Sequence, residues 1–225
     1  MLSKNKINEI SSCNFKKNRK ENGFFIAEGI KIIQELLSSN IKVRTIYTTS
    51  PEYFYESKTD VVSISEQELR KISNQKTPNK ALCLAEIPQY QFHIATLENK
   101  FSLALENIRD PGNMGTIIRI ADWFNIENII CSESCVDAYN PKVIQATMGS
   151  IARVKIHYLN LKNVFNGTNK IPVYGAFIDE KSVYDTSPIY NGILLIGNEA
   201  NGISKELKAL INYKVSIPSY GQAES

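Results

Sequence analysis

The sequence predicts an α/β protein in two parts: a small N-terminal α/β unit (1–90) and a larger C-terminal parallel-sheet domain (101–225). Three observations predict it. Apolar strand-like runs alternate with stretches of helical spacing along the whole chain. The alternation is interrupted by a polar stretch opening with Pro88, "PQYQFHIATLENK", whose residues 91–100 read as a linker. After that interruption the strand runs become apolar almost throughout, as in "ILLIG" (193–197), which is how strands covered on both faces of a parallel sheet read. With 225 residues, 43% of them hydrophobic, the chain is large enough to bury such cores.

Residues 1–20 read as helix, with a break near Ser11-Ser12-Cys13-Asn14. A short strand follows at "GFFIAEG" (23–29). The next segment, 30–39, places Ile32, Ile33, Leu36 and Leu37 at helical spacing. "VRTIYTT" (43–49) alternates as a strand does. Ser65 and Glu68 stand at the spacing of a capping box, which predicts a helix over 65–73. "ALCLAEI" (81–87) closes this half as a strand. Beyond the linker, strands are expected at 101–107, 127–132, 154–159, 171–177, 193–197 and 213–218. Helices are expected at 114–125, 140–150 and 203–211.

Composition narrows the function. No apolar run approaches the ~18–20 residues of a membrane span, and "MLSKNKINEI" lacks the apolar core of a secretion signal, so a cytoplasmic protein is expected. The four cysteines (Cys13, Cys83, Cys131, Cys135) form no C-x-x-C pair and only two histidines accompany them. They read as reduced thiols, with no metal site expected. The net charge of +3 is unevenly placed: Lys4, Lys6, Lys16, Lys17, Arg19 and Lys20 face a single acid, Glu9, in the first 20 residues. Such an arm suits an anionic partner, although a solvated helix face accounts for it equally well.

In open α/β sheets, ligands bind beyond the carboxyl ends of the strands. Three such ends are rich in Gly, Asn and Pro. In "ENIRDPGNMGTIIR" (106–119), Asp110-Pro111-Gly112 forms a turn and Asn113 is suited to cap the following helix. Gly115 permits close approach of backbone or ligand. Arg119 is expected about one turn into that helix, on a face distinct from Ile117, Ile118 and Ala121. In "LLIGNEANGIS" (194–204), a strand runs into Gly197-Asn198-Glu199, where glycine exposes backbone groups and Glu199 can orient a basic residue or bind a hydroxyl. The third end is "SIPSYGQAES" (216–225). Each alone also fits an ordinary turn; neither a phosphate loop nor G-x-G-x-x-G is present.

Together the three loops resemble motifs one, two and three of the SpoU (TrmH) family: N-x-x-D-P-x-N-x-G-x-x-x-R from Asn107 to Arg119, I-G-N-E-x-x-G-I-S from Ile196 to Ser204, and I-P-x-x-G-x-x-x-S from Ile217 to Ser225. "KKNRKENGFFIAEGIKIIQELL" (16–37) resembles the family's substrate-binding domain, an α/β unit related to ribosomal RNA-binding proteins. The resemblance implies an RNA ribose 2′-O-methyltransferase of the SPOUT superfamily that uses S-adenosyl-L-methionine and has a trefoil-knotted fold. It implies a catalytic Arg119, with Asn113 near the reacting ribose and Glu199 as the motif-two glutamate. Ile196, Gly197 and Ile217 would hold the adenosyl group, and Ser225 is the motif-three serine. Lys16, Lys17, Arg19 and Lys20 would then grip RNA backbone, of rRNA first and tRNA second. A homodimer is implied as well.

The chemistry is self-consistent. A sulfonium methyl is already activated, so the protein must align a hydroxyl and deal with its proton. His93 and His157 lie away from the motifs and read as structural. Arg119 remains, as a base assisted by a second group or as an electrostatic clamp. The chain stops at the motif-three serine, where the family continues into a helix. A fragment of a longer gene is the favoured expectation, with an incomplete knot. A non-catalytic RNA-binding protein with an incomplete cofactor site is the alternative.

Overall fold

The computed structural model describes residues 1–168, 170–178, 180–187 and 189–221. Its residues gather into two compact units. One comprises Met1–Gln89 with Met114–Arg119 and Asp137–Arg153; the other comprises Tyr90–Asn113, Ile120–Val136 and the chain from Val154 on.

The first unit opens with α1 (Lys4–Ser12) and α2 (Lys16–Asn22). Ser3 caps α1 by accepting from the Lys6 N–H at 3.2 Å. Gly23 ends α2 at φ +73°, a left-handed turn that glycine adopts without the steric cost of a side chain. There follow β1 (Phe24–Glu28), α3 (Ile30–Leu37), β2 (Val43–Thr48), β3 (Asp60–Ser63), α4 (Glu66–Ile72) and β4 (Ala81–Glu86). The capping box forms as its spacing predicts, Ser65 and Glu68 each bonding the other's backbone. The sheet order is β1-β4-β2-β3, with β4 antiparallel to both its neighbours and β2 parallel to β3. β3 was not expected: it has four residues, only half-buried, on the sheet edge, too short for a periodic signal. Ile10, Ile26, Tyr47, Leu69, Ile72, Leu82 and Leu84 form the core beneath α1 and α4.

The second sheet is built from β5 (Phe101–Leu105), β6 (Asn128–Cys131), β7 (Lys155–Tyr158), β8 (Val173–Ala176), β9 (Gly192–Ile196) and β10 (Tyr213–Val215). All its pairings are parallel, in the order β10-β8-β9-β5-β6-β7. Helices α5 (Pro111–Trp123), α6 (Pro141–Thr147), α7 (Leu161–Gly167) and α8 (Lys205–Lys208) lie between the strands in sequence. α5 starts three residues earlier than expected because Pro111 takes the first helical position, where its missing N–H costs nothing, and Asp110 caps it. α7 is an addition, seven residues capped by Asn160. One face of the sheet packs Ala104, Ile130, Val173, Ile193 and Leu195 against α7 and Leu207. Leu97, fully buried, joins this core with Phe92 and Ile94 packed on it, so the stretch read as a linker is largely part of the second unit. His157 is buried against Phe92 and Tyr90, 3.3 Å from Asn128 Oδ1; burial pushes its pKa down. Among the described residues no helix is long and apolar enough to cross a membrane.

Candidate active site

Because the second sheet is all parallel, its strands deliver their carboxyl ends, and the loops after them, to one edge. β5 and β9 are direct neighbours in register Leu105↔Ile196, and the Glu106 N–H donates to the Ile196 carbonyl at 2.9 Å, so their two loops leave side by side. Three contacts then tie those loops. Asn198 Nδ2 donates to the Asn107 carbonyl at 2.9 Å, Glu106 Oε2 accepts from the Ser204 N–H at 2.8 Å, and Asn113 Nδ2 donates to Glu199 Oε1. Two of the three expected catalytic residues, Asn113 and Glu199, 86 positions apart in sequence, therefore meet.

Local chemistry shapes each loop. Asn107 sits at φ +58°, tolerable for asparagine, and its N–H donates to Ser132 Oγ at 3.0 Å. Below it, Cys135 Sγ lies 3.3 Å from both the Leu105 carbonyl and the Ile108 N–H. Hydrogen bonds from Cys131, Ser132 and the Ile108 amide hold the Cys135 thiol down at about 6, against the opposing effect of burial. All four cysteines are buried and free.

After β9, Asn198 and Gly202 exchange backbone bonds of 3.1 and 2.8 Å, while Asn198 Oδ1 accepts from the Ala200 and Asn201 amides. A Cβ at Gly197 would stand 2.4–2.6 Å from the Gly202 and Ile203 backbone, so the turn closes only over glycine. Sequence reasoning found Glu199 and Gly197 but missed Asn198 and Glu106, the side chains that hold the two loops together. Their signal is position alone, each at a strand end beside a named motif residue.

Two expectations change and one, the close approach at Gly115, is met by a helix. Asp110, not Asn113, caps α5: its carboxylate accepts the Asn113 N–H at 2.9 Å, which leaves the Asn113 amide free for Glu199. Gly115 makes room for a helix, since a Cβ there would lie 2.3 Å from the Ala146 Cβ of α6. Arg119, exposed on α5, is about two turns in rather than one, because the helix begins at Pro111.

The third loop is not next to the second, since β8 separates β9 from β10. It is anchored to the connection after β8. The Ser216 N–H donates to the Lys181 carbonyl at 2.9 Å, Ser216 Oγ to the Glu180 carbonyl at 2.7 Å, and the Val183 N–H to the Ser216 carbonyl at 2.8 Å. No motif marked residues 180–183. Ile217 is 78% exposed and Ile196 half-buried. Ser225 lies outside the described residues.

In the N-terminal arm, Lys16, Lys17 and Lys20 are exposed on α2. Arg19 corrects its expectation: its side chain is 2% exposed. Its Nη2 and Nε donate to Asp137 Oδ2 at 2.6 and 2.9 Å, and its Nη1 to the Cys13 carbonyl at 2.7 Å. A guanidinium so enclosed is not offered to a phosphate.

Comparisons with known proteins identify the family. The SpoU rRNA Methylase family matches residues 100–225, and the MRM3-like substrate binding domain matches residues 4–83. The 23S rRNA (guanosine(2553)-2'-O)-methyltransferase of Bacillus subtilis is 25% identical over 226 residues, covering 98% of this chain and 90% of that protein. A solved TrmH-family structure from Porphyromonas gingivalis superposes with a TM-score of 0.89 at 33% identity, over 99% of this chain and 91% of that one. The AdoMet-bound rRNA methyltransferase of Sinorhizobium meliloti gives a TM-score of 0.85 at 26% identity, over 100% and 90% of the two chains. With more than half its length matched by one family, the chain belongs to the SpoU rRNA methylase family.

Proposed function

We propose that this chain transfers a methyl group from S-adenosyl-L-methionine to a ribose 2′-hydroxyl of ribosomal RNA. The observation that carries the reading is the junction of Asn113, in the first turn of α5 after β5, with Glu199 in the loop after β9. The activity of the Bacillus subtilis relative, aligned over nearly all of both chains, supports rRNA over tRNA.

The residues present fit the cofactor. Ile217 leaves an apolar side chain in solvent beside a strand end, and the tight turn at Gly197 sits directly after β9. Ile196, Gly197 and Ile217 would hold the adenosyl group, with Ser225 completing the third motif. When bound, the cofactor supplies an activated methyl group. Asn113 and Glu199 form a polar pair, one donor and one acceptor, suited to orient a ribose hydroxyl. Arg119 supplies positive charge to the hydroxyl oxygen as it loses its proton, or to the adjoining phosphate. A guanidinium is a poor base, so the electrostatic role is preferred.

Lys16, Lys17 and Lys20 are proposed to contact RNA backbone, which positions without reading sequence. A homodimer is proposed from the exposed Ile120, Trp123 and Phe124 at the end of α5, 47%, 84% and 68% exposed.

The test is transfer of labelled methyl from the cofactor to purified rRNA and tRNA, followed by mapping of ribose methylation. Label in rRNA at a 2′-hydroxyl is expected. Label in tRNA alone would overturn the choice of substrate, and cofactor binding without any transfer would overturn the activity. Arg119→Ala should abolish transfer while cofactor binding, read by calorimetry, is retained.

A further inference from the structure

One end of the N-terminal sheet gathers several loops. β4 runs antiparallel to β1 and β2, so the carboxyl ends of β1 and β2 and the start of β4 lie at one end of that sheet. Gly29 after β1 donates its N–H to the Ala81 carbonyl at 2.9 Å, and Thr49 after β2 donates to the Lys80 carbonyl at 2.9 Å. A groove of about 650 Å³ opens there, lined by Ile30, Lys31, Gln34, Glu35 and Ser38 of α3 and its flank, with Tyr53 from the single helical turn Pro51–Phe54.

Two features set this end of the sheet apart. Tyr53 is 47% exposed and Tyr55 81%, large rings left in water on one short turn. Lys80 is held in the left-handed region, φ +51°, where a side chain is disfavoured. Its carbonyl takes bonds from the Thr49 N–H at 2.9 Å, Thr48 Oγ1 at 3.0 Å and Thr49 Oγ1 at 3.3 Å, and its Nζ stands 5.7 Å from the centre of the Tyr53 ring. The backbone of Lys80 is thus fixed, with its ammonium beside an exposed aromatic ring. Of the groove's charged side chains, Glu35 is engaged by Arg153 at 2.5 Å, whereas Lys31 is exposed on α3.

We infer that this end of the sheet is a binding site for one unpaired RNA nucleotide, its base stacked on Tyr53 and its phosphate held by Lys80 and Lys31. An exposed ring beside a fixed ammonium matches the two halves of a nucleotide, and stacking of this kind accepts any base. The site rests on the RNA-methyltransferase reading of the chain and adds to it a contact away from the reacting ribose. It anchors the substrate and takes no part in the methyl transfer.

The test measures affinity of the whole chain for an eight-nucleotide oligouridylate and for an RNA duplex, with cofactor binding as the control. Tyr53→Ala should weaken the single strand about tenfold, and Tyr53→Phe should leave it within about twofold, because the ring is retained. Lys80→Asn keeps a residue that tolerates the left-handed backbone but removes the charge, and should lower the salt slope on single strands by roughly 0.7. Equal binding by wild type and Tyr53→Ala, with wild type binding RNA, overturns this site alone. A wild-type chain that binds neither RNA overturns the site and the RNA reading together. Parallel loss with Tyr53→Phe would mark a structural tyrosine and overturn the stacking role.

Discussion

At the scale of residues, Arg19 shows how a charge can be misplaced by sequence alone. It sits among Lys16, Lys17 and Lys20 on a basic helix, yet α2 turns it inward to Asp137 while its neighbours stay in water. Removing one partner of a buried pair leaves the other charge uncompensated. Arg19→Ala should therefore cost about 3–5 kcal/mol of stability, read from urea unfolding. Changing Lys16, Lys17 and Lys20 to Ala should leave the unfolding midpoint unchanged and flatten the salt dependence of RNA affinity instead. Asn198 is a second case. Its side chain bonds Asn107 and two amides of its own loop, so Asn198→Ala should raise the cofactor KM along with lowering kcat, while Glu199→Gln should act mainly on kcat.

At the scale of elements, the capping box of α4 was legible from two letters, and it carries a pH dependence. Backbone N–H groups of Ser65 and Leu2, then the Ser65 hydroxyl, hold the Glu68 carboxyl at about 2, below the ordinary 4.5. A depressed carboxyl stabilises the fold fully above the unfolded value and loses that contribution as pH falls from 4.5 toward 2. Glu68→Gln should thus be less stable than wild type at pH 6, with the gap closing by about pH 2 in urea titrations at each pH. His157 works in the same direction: burial lowers its pKa, so its contribution is full above the ordinary 6.5 and declines as pH falls below it. Helix boundaries were less legible. The start of α5 depended on whether Asp110 or Asn113 capped it, and either residue type can. Gly115 and Gly197 were both visible as glycines, but what crowds each is another segment: Ala146 at the first, Gly202 and Ile203 at the second. Gly115→Ala should cost about 1–3 kcal/mol through overpacking against α6, with the loss appearing in thermal melts.

At the scale of the molecule, the alternation of strands and helices was read correctly, as was the parallel sheet, because buried parallel strands carry near-continuous apolar runs. The mixed pairing of the N-terminal sheet was not, since β1 and β4 look alike whether they run parallel or antiparallel. If the proposed dimer forms through the end of α5, Trp123→Glu should shift the chain to monomer in sedimentation and remove any concentration dependence of its melting temperature, while the monomer's own fold is kept because Trp123 is 84% exposed in the single chain. What the sequence by itself determined is the chemistry of the loops, and through them the family: their residues are contiguous, and spacing along a chain is local information. Only the tertiary structure decided which side chains face which. Strand order places the first and second motif loops side by side and sets the third two strands away, against residues 180–183 that no motif marked. The same long-range pairing buries Arg19 and joins Asn113 to Glu199, because contacts between residues some 86 or 118 positions apart are fixed by sheet order and helix packing.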